Sequence, residues 1–132
     1  MTYLATIEKI YASIAEGDFK PIFDNLSPKA LWIEAENIPY SPGGPIVGHA
    51  EVQAAVFDKL PNDFADFHLD VTRIVAADTT LLVEGRYVGK TNTGNSLDAI
   101  FAHVWDFDGD QIVRFQQYSD TWQWREVLGA DA

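Results

Sequence analysis

Apolar residues recur at helical spacing from the start of the chain. Leu4, Ile7, Ile10, Tyr11 and Ile14 fall every three to four positions over residues 3–15, which places them on one face of a helix. Gly17 is a natural stop. Asp18 is placed to cap a second short helix, with Phe19, Ile22, Phe23 and Leu26 on one side. Ser27 and Pro28 end that helix. Residues 30–36, ALWIEAE, alternate as a strand, with Trp32 and Glu34 on one face and Leu31 and Ile33 on the other. Residues 37–48, NIPYSPGGPIVG, carry too many prolines and glycines for regular structure. A loop of that length in a small domain usually has a role or moves. Residues 49–59, HAEVQAAVFDK, predict a third helix with Val52, Ala55 and Val56 on its apolar side.

After Pro61 the period changes from helical to twofold. Residues 67–76, 80–89, 96–107 and 111–121 read as strands. Asp108-Gly109 marks a tight hairpin, because that turn needs positive φ. Residues 92–95, NTGN, mark another turn. Strands joined this closely must run antiparallel. The order predicts an α+β fold: N-terminal helices packed on one strongly curved, mostly antiparallel sheet, in a single domain over residues 1–132. The tail, WQWREVLGADA, starts helical and then frays.

Charge narrows the partners. Nine basic against 20 acidic residues give −11 with histidines neutral. Nothing in that balance neutralises phosphates, so nucleic acid and anionic membrane surfaces are not expected partners. The N-terminus lacks a basic start and a continuous apolar run, which argues against a signal peptide and for a cytoplasmic protein. No apolar stretch reaches the roughly 20 residues of a membrane span. The absence of cysteine removes disulfides, thiolate metal sites and cysteine nucleophiles.

Familiar motifs fail on inspection. DFDGD at 106–110 lacks the rest of a calcium loop, including its terminal glutamate. Three histidines without paired spacing do not make a zinc site. PGGP at 42–45 lacks the GK[ST] ending of a phosphate loop. No metal and no cofactor is expected. What needs explaining is the hairpin FAHVWDFDGDQIVRFQQYSDTW, residues 101–122, which sets His103 among core-type residues and two amides, Gln116 and Gln117, on the return strand.

Three blocks carry a family resemblance: IYASIAEGDFKPIFDNLSPKALWIEAE, then GGPIVGHAEV, then FAHVWDFDGDQIVRFQQYSD. In this order they span nearly the whole chain, and they resemble the nuclear transport factor 2-like superfamily. The similarity is closest to its SnoaL-like polyketide cyclase and ketosteroid isomerase-like branches. The resemblance implies a cone-shaped roll: curved sheet and helices enclose a deep apolar pocket open at one end. It also implies a homodimer through the outer sheet face, where Ile100, Ala102 and Val104 alternate with pocket positions. The expected ligand is small and apolar or polycyclic. The superfamily mixes enzymes, binding proteins and adaptors, so the fold alone names no reaction.

Residue by residue, the resemblance places His103 where ketosteroid isomerases carry a hydrogen-bonding acid at the oxyanion, and Glu34 where they carry the base. The plainer alternatives are a hydrogen-bonded core histidine and a strand-edge carboxylate. Glu36 lies on the face of Glu34 and competes with it. SnoaL-like cyclases carry an acid/base aspartate on the last strand; the matching position here is Gln117, which cannot exchange a proton. Asp120 is the nearby catalytic alternative, or else a helix cap. Trp32, Tyr40, Tyr87, Phe101, Trp105 and Gln117 are the expected ligand-binding residues. Tyr11 falls one residue out of register with the first-helix tyrosine of ketosteroid isomerases, so that role is not carried over. His49 and His68 read as structural or surface residues.

Overall fold

The structure is a computed structural model and describes residues 2–129. Helix α1 (Tyr3–Ala15) starts at Thr2, whose hydroxyl accepts the Ala5 amide hydrogen at 3.0 Å, as an N-cap should. Its buried face is Ile7, Ile10 and Tyr11. Helix α2 (Lys20–Asn25) has proline in its first turn, where the missing N–H costs nothing.

Strand β1 covers Leu26–Ile33 and begins before Pro28, earlier than the alternation of ALWIEAE suggests. A proline is tolerated there because β1 is an edge strand. The ladder skips at that point, passing from Leu26 opposite Ile112 to Leu31 opposite Arg114. Glu34 and Glu36 lie just beyond the strand rather than in it.

The single third helix expected over 49–59 is instead three pieces. Helix α3 (His49–Val52) runs into a π-turn at Gln53–Phe57, and α4 (Leu60–Asp63) follows with Pro61 in its first turn. In the π-turn the Asp58 amide reaches back five residues to the Gln53 carbonyl at 2.9 Å. That extra residue brings Phe57 inward beside Val56.

Strands β2 (Phe64–Ala77), β3 (Thr80–Thr91), β4 (Ser96–Asp108) and β5 (Gln111–Ser119) complete a sheet of order β1-β5-β4-β3-β2. The three hairpin pairs are antiparallel, whereas β1 joins β5 in parallel. Gly109 takes φ 60° in the β4–β5 turn. Gly85 is needed for a different reason. A Cβ there would lie 2.2 Å from the Asp70 carbonyl oxygen and 2.8 Å from the Phe101 ring, at the irregularity of β2 between Val71 and Arg73.

The sheet curves around α1 without closing, and the core lies between its concave face and the helices. Helix α5 (Thr121–Leu128) returns to β4 and buries Trp124. The fraying expected after Gly129 lies outside the described residues. Among the described residues no helix is long and apolar enough to cross a membrane.

Candidate active site

Strand alternation does most of the positioning. Ala99, Phe101, His103, Trp105 and Phe107 all point inward from β4 and are buried. In register with His103 is Gln117 of β5, and Tyr87 stands on β3 opposite Ala99. Tyr11 of α1 reaches the same place from across the core. With Trp32, Glu34, Tyr40, Trp105, Phe115 and Trp124 they line a chamber with about 60 Å³ of free space, or about 540 Å³ with its open mouth included. The inner space alone would hold a few waters or the reacting end of a small molecule. The half-buried lining residues Ile14, Phe19, Phe67 and Leu69 mark where solvent reaches it. Everything else on the wall is buried.

His103 is 4% exposed. Both ring nitrogens are engaged: Nδ1 with the Tyr11 hydroxyl at 2.5 Å and Nε2 with the Tyr87 hydroxyl at 2.5 Å. Its ring stacks on Phe101 at 4.2 Å between centroids. Burial disfavours the imidazolium and lowers the pKa to about 3, so the ring is neutral at physiological pH. The circuit continues on both sides. The Trp105 indole N–H donates to the Tyr11 oxygen at 3.0 Å, and the Gln117 amide donates to the Tyr87 oxygen at 2.8 Å. The Gln117 carbonyl oxygen accepts the Ala35 backbone N–H at 3.0 Å. Burial pushes both tyrosine hydroxyls well above their ordinary pKa.

Glu34 faces this circuit from the segment after β1. It is 4% exposed, and its one hydrogen bond comes from the Trp32 indole N–H to Oε2 at 3.0 Å. Burial raises its pKa to about 7, more than that single donor lowers it. The chamber therefore pairs a carboxyl balanced between its two protonation states with a neutral hydroxyl–imidazole circuit. Gln117 sets the spacing between them, because its amide ties the backbone beside Glu34 to the Tyr87 hydroxyl.

The structure sorts the remaining expectations. Glu36 is exposed and leaves Glu34 as the carboxylate on the chamber. Asp120, expected as an alternative catalytic acid, is exposed and accepts the Gln123 amide hydrogen as the N-cap of α5. Its side chain is committed to the helix start and does not reach the chamber. Phe101 was expected to touch ligand; it packs behind His103 and Tyr87 instead of lining the cavity. Trp32 and Trp105 do line it, and both narrow it, with Trp32 stacked on Phe115 at 4.0 Å. Tyr40 lines it while donating to Asp63 Oδ2 at 2.7 Å. His49 bonds the Leu26 carbonyl, and His68 sits at the surface near Asp70.

Tyr11 is the chamber residue that the sequence reading leaves out. The register argument set it aside, yet its hydroxyl is central to the circuit. A signal was present: Tyr11 shares its helix face with Ile7, Ile10 and Ile14, and a hydroxyl buried on such a face needs a partner.

Comparison with known proteins places the chain. Residues 7–115 match the SnoaL-like domain, and the protein belongs to that family. A nuclear transport factor 2-like protein of unknown function from Burkholderia pseudomallei K96243 superposes with a TM-score of 0.86, at 24% identity over 96% of both chains. TerC, crystallised with polyporic acid, gives 0.82 at 21% identity over 95% of this chain and 96% of its own. A candidate SnoaL-like polyketide cyclase from Jannaschia sp. CCS1 gives 0.77 at 14% identity over 96% and 91%. These likenesses establish the fold. No curated protein matches the chain significantly.

Proposed function

We propose that this SnoaL-like protein binds a small, largely apolar carbonyl or hydroxyl compound and moves a proton on it without a cofactor, as an isomerase, cyclase or dehydratase does. One observation carries the reading: a buried carboxyl with a pKa near 7 shares an apolar chamber with a neutral hydroxyl–imidazole circuit. Glu34 takes a proton from carbon next to a carbonyl, or from a hydroxyl. Electron density moves onto the substrate oxygen, where the Tyr87–His103 pair stabilises it. The proton then returns from Glu34 at another position, or a leaving group departs. A positioned base of matched pKa contributes roughly 10²–10⁴-fold, and a preorganised donor about 3 kcal/mol. The reported crystallisation of TerC with polyporic acid is consistent with a ligand in this fold's cavity.

A second reading is a protein that binds such a compound without turning it over. It is favoured by Gln117, an amide where the cyclases carry an acid, with both ends of that amide already bonded. In either case we propose a homodimer through the outer sheet face, where Ile100 and Tyr118 stand more than half exposed.

Hydrogen–deuterium exchange separates the two readings. Cyclohexanone and acetylacetone in D₂O would be followed by NMR at the carbon next to the carbonyl. Exchange faster than buffer, and lost in Glu34→Gln, is the result expected of the enzyme. Exchange no faster than buffer for both compounds would discard catalysis and leave the binding protein.

A further inference from the structure

Every buried side-chain nitrogen and oxygen among the described residues has a partner. The protons, however, do not balance. The Trp105 indole N–H can only donate, so Tyr11 must accept from it. Ala35 N–H can only donate, so the Gln117 carbonyl faces it and the Gln117 NH₂ faces Tyr87, which must accept. Two contacts remain, one at each nitrogen of His103. Three protons remain for them: one on Tyr11, one on Tyr87 and one on the neutral imidazole. One hydroxyl proton is therefore left without an acceptor.

Which tyrosine holds it depends on the imidazole. With the ring proton on Nε2, Tyr11 donates to Nδ1, Nε2–H donates to Tyr87, and the Tyr87 proton is spare. With the ring proton on Nδ1, the spare proton is on Tyr11. Gln117 ties the Tyr87 hydroxyl to the backbone N–H of Ala35, next to Glu34, whereas the Tyr11 hydroxyl is tied to the Trp105 indole. A nearby carboxylate favours the arrangement that turns a free O–H toward it.

We propose that His103 is held as the Nε2–H tautomer, so that Tyr87 presents the one spare hydroxyl proton of the chamber to a ligand oxygen. Tyr87 is then the catalytic donor. His103 and Gln117 are positioning residues that keep both Tyr87 lone pairs occupied and its proton free. The assignment rests on the chamber taking an oxygen-bearing ligand, as proposed above, and it goes further by naming the atom that ligand meets.

The test is the ¹⁵N spectrum of the histidine rings in the whole, ligand-free protein, where tautomers are distinguished by which nitrogen resonates as pyrrole-like. For His103 the expected result is a pyrrole-like Nε2 and a pyridine-like Nδ1. A pyrrole-like Nδ1, or a charged ring, would overturn the assignment. This measurement needs no variant to fold. Tyr87→Phe adds a second check, since it removes the acceptor of Nε2–H and should move the proton to Nδ1, with the two resonances exchanging places. Tyr11→Phe should leave the wild-type pattern. A failure of the ketone exchange assay would count against catalysis and leave the tautomer result standing.

Discussion

The two polar groups of the chamber are built on opposite principles. One is neutral: His103 and Gln117 stand in register on paired strands with Tyr87 on the next strand, and their polar atoms hold each other with one hydroxyl proton to spare. The other is a single carboxyl on the segment leaving β1, next to β5, with one indole donor for company. A hydrogen-bonded circuit anchored on a rigid sheet can hold a hydroxyl in a fixed direction. A buried carboxyl with few donors can change its charge near neutral pH. In the proposed reaction, orientation resides with the first group and proton transfer with the second.

The largest way to break that contrast is Glu34→Gln. Ketone exchange should fall by roughly 10²–10⁴-fold, while the amide keeps the Trp32 hydrogen bond. Stability should respond to pH in a defined direction. The folded pKa of Glu34 is raised from 4.5 to about 7, so the folded state binds more protons than the unfolded state in that window. Its contribution is thus lost as pH rises from about 4.5 through 7, reaching about 3 kcal/mol. His103 acts oppositely. Its folded pKa is lowered to about 3, so its contribution falls away as pH drops from about 6.5 towards 3. Denaturant midpoints across pH should show Glu34→Gln more stable than wild type at pH 8 and free of the loss between pH 5 and 7. An unchanged profile would remove the buried carboxyl from this account.

Tyr87→Phe comes next. It should slow exchange by about 10²-fold and cost roughly 1–3 kcal/mol, because Gln117 loses an acceptor. Tyr11→Phe should cost a similar stability through the orphaned Trp105 N–H but stay within about tenfold of wild-type exchange. Equal loss of exchange in both variants would show that the two tyrosines act as one unit.

Outside the chamber the effects shrink. Ile100→Arg on the outer face should convert a dimer to a monomer in analytical ultracentrifugation; a wild-type monomer would remove the dimer proposal. Asp120→Ala should lower stability by about 1 kcal/mol through the lost helix cap and leave exchange unaltered. A large loss of exchange would return Asp120 to the list of catalytic groups.

Much of this was legible in the chain, and particular residues show why. His103, Trp105 and Phe107 share a face because strand geometry alternates with a period of two, and Asp108-Gly109 states its own turn. Glu34 and Trp32 were found together for the same reason, although the strand carrying them ends at Ile33. Local rules failed where the outcome depended on distant partners. Pro28 ends a helix in isolation, yet it sits in a strand because β5 offers β1 an edge. The π-turn at Gln53–Phe57 follows from packing Phe57 inward, which no helical period encodes.

The family resemblance picked out Glu34 and His103, while the sequence by itself determined the α+β order and the inward face of each strand. Order and face are consequences of backbone geometry within a few residues. Only the tertiary structure decided that Tyr11, 92 residues from His103 along the chain, meets its Nδ1. It also decided that Asp120 caps a helix and that the tryptophans narrow the chamber. Hydrogen bonding and desolvation depend on which atoms meet in space. Those meetings are set by how α1 lies across the curved sheet, and not by the spacing of residues along any one element.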